Sequence, residues 1–195
     1  MDKDSRTLFS KEVTCQLRKL DAPAEQGLNE ALTFRVISRP NECLLSVTSE
    51  QDLYFNFSAR VGKAAYEELR KEQSLMAGYQ EFPSMLAKLL ASVQREQKQY
   101  LAILFISTDG STGRFEIIEN FKSFKYVDIL SLPMKCASPE EINRDIAQRY
   151  TLLRRKNAEL QAQVNELRGI IKARLPNFTP PAGSVCAKLL AEGSD

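Results

Sequence analysis

Apolar positions along the chain recur first at every second residue, then at every third or fourth, then at every second again, and last at alternating steps of four and three. From Thr7 to Leu20, Val13, Cys15 and Leu17 alternate with Thr14, Gln16 and Arg18, the pattern of a strand with one buried face. The link DAPAEQGLNE is punctuated by Pro23 and Gly27. ALTFRVISR repeats the alternation with Leu32, Phe34 and Val36, Pro40-Asn41 turns the chain, and CLLSVTSE forms a third short strand. The segment LYFNF predicts a fourth, with Leu53, Phe55 and Phe57 on one face. These four strands make an antiparallel meander.

The period changes at Ser58, which is placed to cap a helix from about Ala59 to Gln73, with Val61, Ala65, Leu69 and Glu72 along one stripe. A second helix starts near Phe82, with Pro83 in its first turn, where a missing N–H costs nothing. Phe82, Met85, Leu86, Leu89, Leu90 and Val93 keep helical spacing throughout. QREQKQ then releases the chain into YLAILFIS, apolar enough to predict a central strand, and TDGSTG makes a hairpin turn. The stretch from Arg114 to Leu132, RFEIIENFKSFKYVDILSL, reads as two strands and a short link. Alternation puts Phe124, Tyr126, Asp128 and Leu130 on one face, and Lys125, Val127, Ile129 and Ser131 on the other. Phe121, Phe124 and Tyr126 thus gather beside a carboxylate, a mixture that suits an exposed surface. By the burial habit of aromatics alone they would instead be core residues.

Ser138-Pro139-Glu140-Glu141 combines a Ser cap, Pro at the first helical position and Glu at the third, a complete helix start. The helix can run to about Leu175, because Pro176 stops it. Within it, Tyr150, Asn157, Val164 and Ile171 fall at heptad position a, and Ile146, Leu153, Leu160 and Leu167 at d. Leucine at d with one asparagine at a favours a parallel dimer in register; the alternative is a long helix packed back on the preceding domain. At the flanking positions a parallel dimer would set Arg149 against Arg154, Lys156 against Gln161, and Gln163 against Arg168. None attracts and the first repels, so the seam alone predicts weak pairing. The tail LPNFTPPAGSVCAKLLAEGSD is rich in Pro and Gly and reads as mobile, with VCAKLLA as a short docking segment.

Composition narrows the functions. At 195 residues the chain has room for one packed domain and an appendage. Its formal net charge is +2, with basic and acidic residues interspersed, so neither nucleic acid nor membrane is expected as a partner. The start MDKDSRTLFS lacks the apolar core of a secretory signal, and a cytosolic protein follows. The absence of histidine removes Ser-His-Asp and Cys-His catalysis and most catalytic zinc sites. Cys15, Cys43, Cys136 and Cys186 are widely spaced with no CxxC pair, and read as reduced thiols. No glycine motif cradles a phosphate. The expectation is a protein without enzymatic activity, cofactor or metal.

The order of elements, strand meander, helix pair, further strands and coiled coil, resembles the head-and-stalk superfamily that contains the centriolar cartwheel protein and the scaffolds of DNA double-strand-break repair. YEELRKEQSLMAGYQEFPSMLAKLL (66–90), SVTSEQDLYFNF before it and FKSFKYVDILSL after it resemble the cartwheel family, spindle assembly abnormal protein six. The resemblance implies an α+β fold: an antiparallel sandwich-like or barrel-like head over 1–137 with an inserted helix pair, a coiled-coil stalk over 138–175, and a flexible tail over 176–195. It implies a self-assembling structural protein of the centriole, basal body or flagellar base, its partners further copies of itself and other proteins of those structures. Heads would pair through Phe124, with Phe121 and Tyr126 beside it, entering a pocket that involves Phe82, Met85 and Leu86. Because Pro176 ends the seam, the resemblance extends best to the short cartwheel-like paralogue. Were the chain a piece of a longer one, the cartwheel protein proper would fit equally. The runner-up is the repair-scaffold branch, against which the sparse basic residues near the tail (Lys172, Arg174 and Lys188) argue.

Overall fold

Strand alternation at the two ends of the head meets in a closed barrel. The structure, a computed structural model, describes residues 5–20, 27–121, 124–174, 179–181, 183–185 and 187. The link at Pro23, most of the tail and Cys186 lie outside the described residues. The order of elements is β1 (Arg6–Lys19), β2 (Leu28–Ser38), β3 (Glu42–Ser49), β4 (Asn56–Gly62), α1 (Lys63–Glu72), α2 (Phe82–Arg95), β5 (Tyr100–Ile106), β6 (Thr112–Phe121), β7 (Lys125–Cys136) and α3 (Pro139–Arg174). The strands close in the order β1-β2-β3-β4-β7-β6-β5. Every pairing is antiparallel except β1 with β5, which run parallel. A parallel neighbour needs a long crossover, and α1 and α2 supply it between β4 and β5. The α+β head with its inserted helix pair and long C-terminal helix is as expected; the parallel seam is an addition.

Inward residues follow the period of two. Val13 and Cys15 of β1, Leu32, Phe34 and Val36 of β2, and Cys43, Leu45 and Val47 of β3 are all buried. Phe34 and Phe115 meet across the barrel with ring centroids 5.1 Å apart. The helical stripe Phe82, Leu86, Leu90 and Val93 joins the same core, with α2 lying along β1 and its Gln94 amide donating to the Glu12 carbonyl. Three described cysteines are free, and burial raises the thiol pKa of Cys15 and pushes that of Cys43 up to about 12. Neither is a reactive thiolate at neutral pH.

Two expected boundaries move. LYFNF is not the fourth strand: Leu53 and Tyr54 are exposed in a turn where the Asp52 side chain accepts from Tyr54 N–H and the Asp52 carbonyl from Phe55 N–H. Strand β4 begins at Asn56 and continues to Gly62, because Phe57, Ala59 and Val61 alternate inward opposite Val47, Leu45 and Cys43. The first helix therefore starts at Lys63, not near Ala59, and Ser58 lies in a strand instead of capping it. Its buried side chain is Tyr66, while Ala65 and Glu72 face solvent, so of the expected stripe Leu69 alone packs inward within the helix.

The end of α1 is tightly built. Leu75 N–H reaches back to the Arg70 carbonyl at 3.0 Å and Gln73 N–H to Leu69 at 2.9 Å, with Ser74 at φ 53° between them. This is a Schellman-type stop in which Ser74 holds the left-handed position usually given to glycine. Leu69 and Leu75, on either side of it, both pack against the core. At α3 the expected capping box is present: Glu141 accepts from Ser138 N–H at 3.1 Å, and Ser138 Oγ accepts from Glu141 N–H at 3.3 Å. The Ser138 N–H, helped by Arg60, holds the Glu141 carboxyl below its ordinary pKa. The chain separates into two units, 1–142 and 143–195, so the first turn of α3, with buried Ile142, belongs to the head.

Candidate self-association surfaces

The hairpin of β6 and β7 carries the aromatics. Its outermost pair is Phe121 with Lys125, and Phe124 N–H donates to the Phe121 carbonyl at 2.8 Å. Phe124 is 85 % exposed, Tyr126 67 % and Phe121 48 %. All three lie outside the core.

The expected face assignment fails at one point. Ile117 pairs with Leu130 but Ile118 pairs with Asp128, which leaves Ile129 as an extra residue on β7. Such a bulge reverses which face the following residues take. Leu130, Leu132 and Met134 point into the core, whereas Asp128 and Tyr126, paired with Ile118 and Asn120, lie on the opposite face. Leu130 therefore does not share a face with Tyr126 and Asp128.

The bulge residue Ile129 also lines a pocket. Beyond Phe57 with Cys136 and Ser58 with Lys135, β4 and β7 are not paired, so the barrel closes there through two residue pairs only and leaves an opening in the ladder alongside them. An apolar cavity of about 330 Å³ lies between the two helices and β7, walled by Tyr66, Met76, Phe82, Met85, Leu86 and Ile129. Phe82 and Leu86 are buried and form its floor, while Met85 and Met76 stand at its edge, 49 % and 91 % exposed. Tyr66 is anchored by its hydroxyl donating to the Ala77 carbonyl at 2.9 Å, and its ring lies 4.7 Å from that of Phe82. Burial raises the pKa of that hydroxyl, so it stays a donor. The expected Phe82, Met85 and Leu86 are all brought together here. Tyr66, Met76 and Ile129 were missed. Tyr66 could have been found from its spacing to Leu69 once the helix start is moved, but Ile129 depends on the bulge, which leaves no local mark.

The open edge of β7 is satisfied residue by residue. Cys136 N–H donates toward β6, to the Ser111 carbonyl, and Ala137 N–H toward β4, to the Asn56 carbonyl. By strand alternation residues 131, 133 and 135 therefore direct their backbone groups to the β4 side. Lys135 is in the ladder with Ser58, and Pro133 has no N–H to satisfy. At Ser131 the Gln73 side-chain amide takes the place of a strand: Nε2 donates to the Ser131 carbonyl at 2.7 Å, and Oε1 accepts from Ser131 N–H at 2.8 Å.

Along α3, the seam residues Tyr150, Leu153, Leu160 and Leu167 are 51–62 % exposed, Asn157 is exposed, and Ile146, Val164 and Ile171 are half-buried. A helix with such a stripe left uncovered has a partner face to offer. The repulsion expected at Arg149 is offset within its own helix, where Nε lies 2.9 Å from Asp145. The Arg154 guanidinium sits 5.9 Å from the Tyr150 ring centre.

Residues 7–134 match the family described as Centriolar protein SAS N-terminal domain. The chain is 21 % identical over 170 residues to the Spindle assembly abnormal protein 6 homolog of Danio rerio, covering 82 % of this chain and 27 % of that protein. It thus spans about a quarter of that relative's length. An N-terminal fragment of Leishmania SAS-6 containing part of its coiled-coil domain superposes with a TM-score of 0.73 at 20 % identity, over 89 % of this chain and 99 % of the fragment. A Drosophila melanogaster Sas-6 fragment dimerised via its coiled-coil domain gives 0.76 at 16 % identity, over 89 % and 85 %. Of the two superfamily branches the sequence suggests, these matches fall on the centriolar one. The barrel with its inserted helix pair, and a family match over most of the head, together show that the chain belongs to the centriolar protein SAS N-terminal domain family.

Proposed function

We propose that this chain is a non-enzymatic, self-assembling structural protein of the centriole, basal body or flagellar base, which joins copies of itself through two contacts. In one, Phe124 of each head enters the pocket of another. In the other, α3 pairs in parallel and in register along the seam from Ile146 to Ile171. Other centriolar or flagellar-base proteins are its further partners; nucleic acid, membrane and cofactor are not.

The observation that carries the reading is the coexistence, in one head, of an aromatic 85 % exposed at the tip of the β6–β7 hairpin and an apolar pocket of about 330 Å³ to which β7 contributes one wall. Phe124 and Ile129 are five residues apart, about 17 Å along an extended strand. A copy can therefore give its aromatic and receive another's across a two-fold axis, a self-complementary contact. One aromatic anchor buries roughly 150–250 Å². Such a small interface must also offset the lost rigid-body freedom of both partners, so head pairing is weak, with dissociation constants on the order of micromolar or above. The stalk contact then raises the effective concentration of heads for one another. The family match and the exposed seam support the same reading.

Expressing the tagged chain in a flagellated or centriole-bearing cell tests the placement. A focus at the centriole, basal body or flagellar base is expected, and a signal that stays diffuse through the cell cycle contradicts it.

A further inference from the structure

The backbone of β7 beside the opening is held from one side by β6 and from the other by a single side chain. We propose that Gln73 is a positioning residue for head pairing, its amide acting as a one-residue substitute for the missing strand on the open edge of β7. The proposal rests on the head-pairing reading above.

Three observations place Gln73 in that role. Both polar groups of its amide are used on one residue, at 2.7 and 2.8 Å, which reproduces the donor and acceptor of a paired strand residue. Its backbone is fixed independently, because it is the residue at which α1 stops, between the Leu69 and Arg70 carbonyl bonds and the left-handed Ser74. And Ser131 lies two residues from the bulge at Ile129, a wall of the pocket, and seven from Phe124. Of the neighbouring edge residues, Pro133 has no N–H to pair and Lys135 pairs with Ser58. Gln73 is thus the tie that sets both the pocket wall and the direction in which the hairpin leaves the barrel. Loss of the tie leaves the Ser131 N–H and carbonyl without their Gln73 partner, so the bulge can relax while the barrel core, which Gln73 does not enter, stays packed.

The test uses the full chain with Leu153→Glu and Leu160→Glu, two exposed seam substitutions that leave head pairing as the remaining self-association. Sedimentation equilibrium and thermal melting are measured on this background, with Gln73→Leu, with Gln73→Glu and with Phe124→Glu. Gln73→Leu is expected to weaken association by about tenfold, the scale of one net hydrogen bond in free energy, with little change in melting temperature. Gln73→Glu keeps an acceptor for Ser131 N–H but sets a carboxylate against the Ser131 carbonyl. Its association should therefore strengthen from pH 7 towards pH 5, as the carboxyl begins to regain a proton and with it a donor. Unchanged association in Gln73→Leu overturns the proposal and makes Gln73 merely structural, whatever the melt does. Should that variant fail to fold, a pH profile of Gln73→Glu parallel to that of the background overturns it equally. If Phe124→Glu leaves association intact, the head-pairing reading itself fails and the role of Gln73 with it, whereas loss of association in Phe124→Glu alone removes only the positioning role.

Discussion

Gly113 and Asp109 show how single residues shape the hairpin that leads into β6. A Cβ at Gly113 would lie 2.7 Å from the Phe105 carbonyl oxygen, a backbone atom that cannot swing aside. Gly113→Ala should destabilise the head by about 1–3 kcal/mol, the usual cost of overpacking, and a melt unchanged from wild type would contradict the close approach. At the turn itself, Asp109 accepts from the hydroxyls of Ser107 and Ser111 and from Ser111 N–H. These bonds, the Ser107 hydroxyl first, hold its carboxyl at about 2, against an ordinary 3.8. The folded turn therefore binds the proton less well than the unfolded chain does. Its contribution to stability is fully present above about pH 4 and disappears as the pH falls through about 2. An NMR titration of the Asp109 carboxyl should give a midpoint near 2 that returns towards 3.8 in Ser107→Ala. A wild-type midpoint near 3.8 would contradict the bonding.

At the scale of elements, α3 offers the clearest test of a pattern read from local spacing. Asn157 at position a meets its own counterpart when the helices run parallel and in register. Leu153→Cys should then form an interchain disulfide rapidly under mild oxidation, whereas cross-linking slower than that of a cysteine at exposed Arg155 would contradict the seam. The long helix α3, the capping box at Ser138 and the stripe of α2 were legible because each is written in residues a few positions apart. The boundary between β4 and α1 was not. Ala59 and Val61 fit a helix stripe as readily as a strand face, and what decides is their pairing with Leu45 and Cys43 on β3. The bulge at Ile129 is less legible still, since it depends on the register of β7 against β6. So the aromatic Phe124 could be read from the chain as suited to an exposed surface, and part of the apolar pocket could be named from α2. The wall contributed by β7 could not. The parallel pairing of β1 with β5 is of the same kind, set by a crossover rather than by either strand's own pattern.

For the whole molecule the two contacts matter in combination. The proposed head pairing through one aromatic should be weak, and a seam of about four heptads without attractive flanking charges should be weak as well. Joined in one chain, each makes the other an event at high local concentration, so assembly should rise steeply with protein concentration while either contact alone yields only dimers. The central claim is that Phe124 is an anchor for another copy and not part of its own core. It is tested most directly by sedimenting the full chain with Phe124→Glu beside the wild type across a concentration series, with a thermal melt of each. A charge carried into an apolar pocket cannot be solvated there, so species larger than the stalk dimer should vanish while the melting temperature stays that of the wild type. A collapsed melt, or larger species that persist undiminished in the variant, would contradict it.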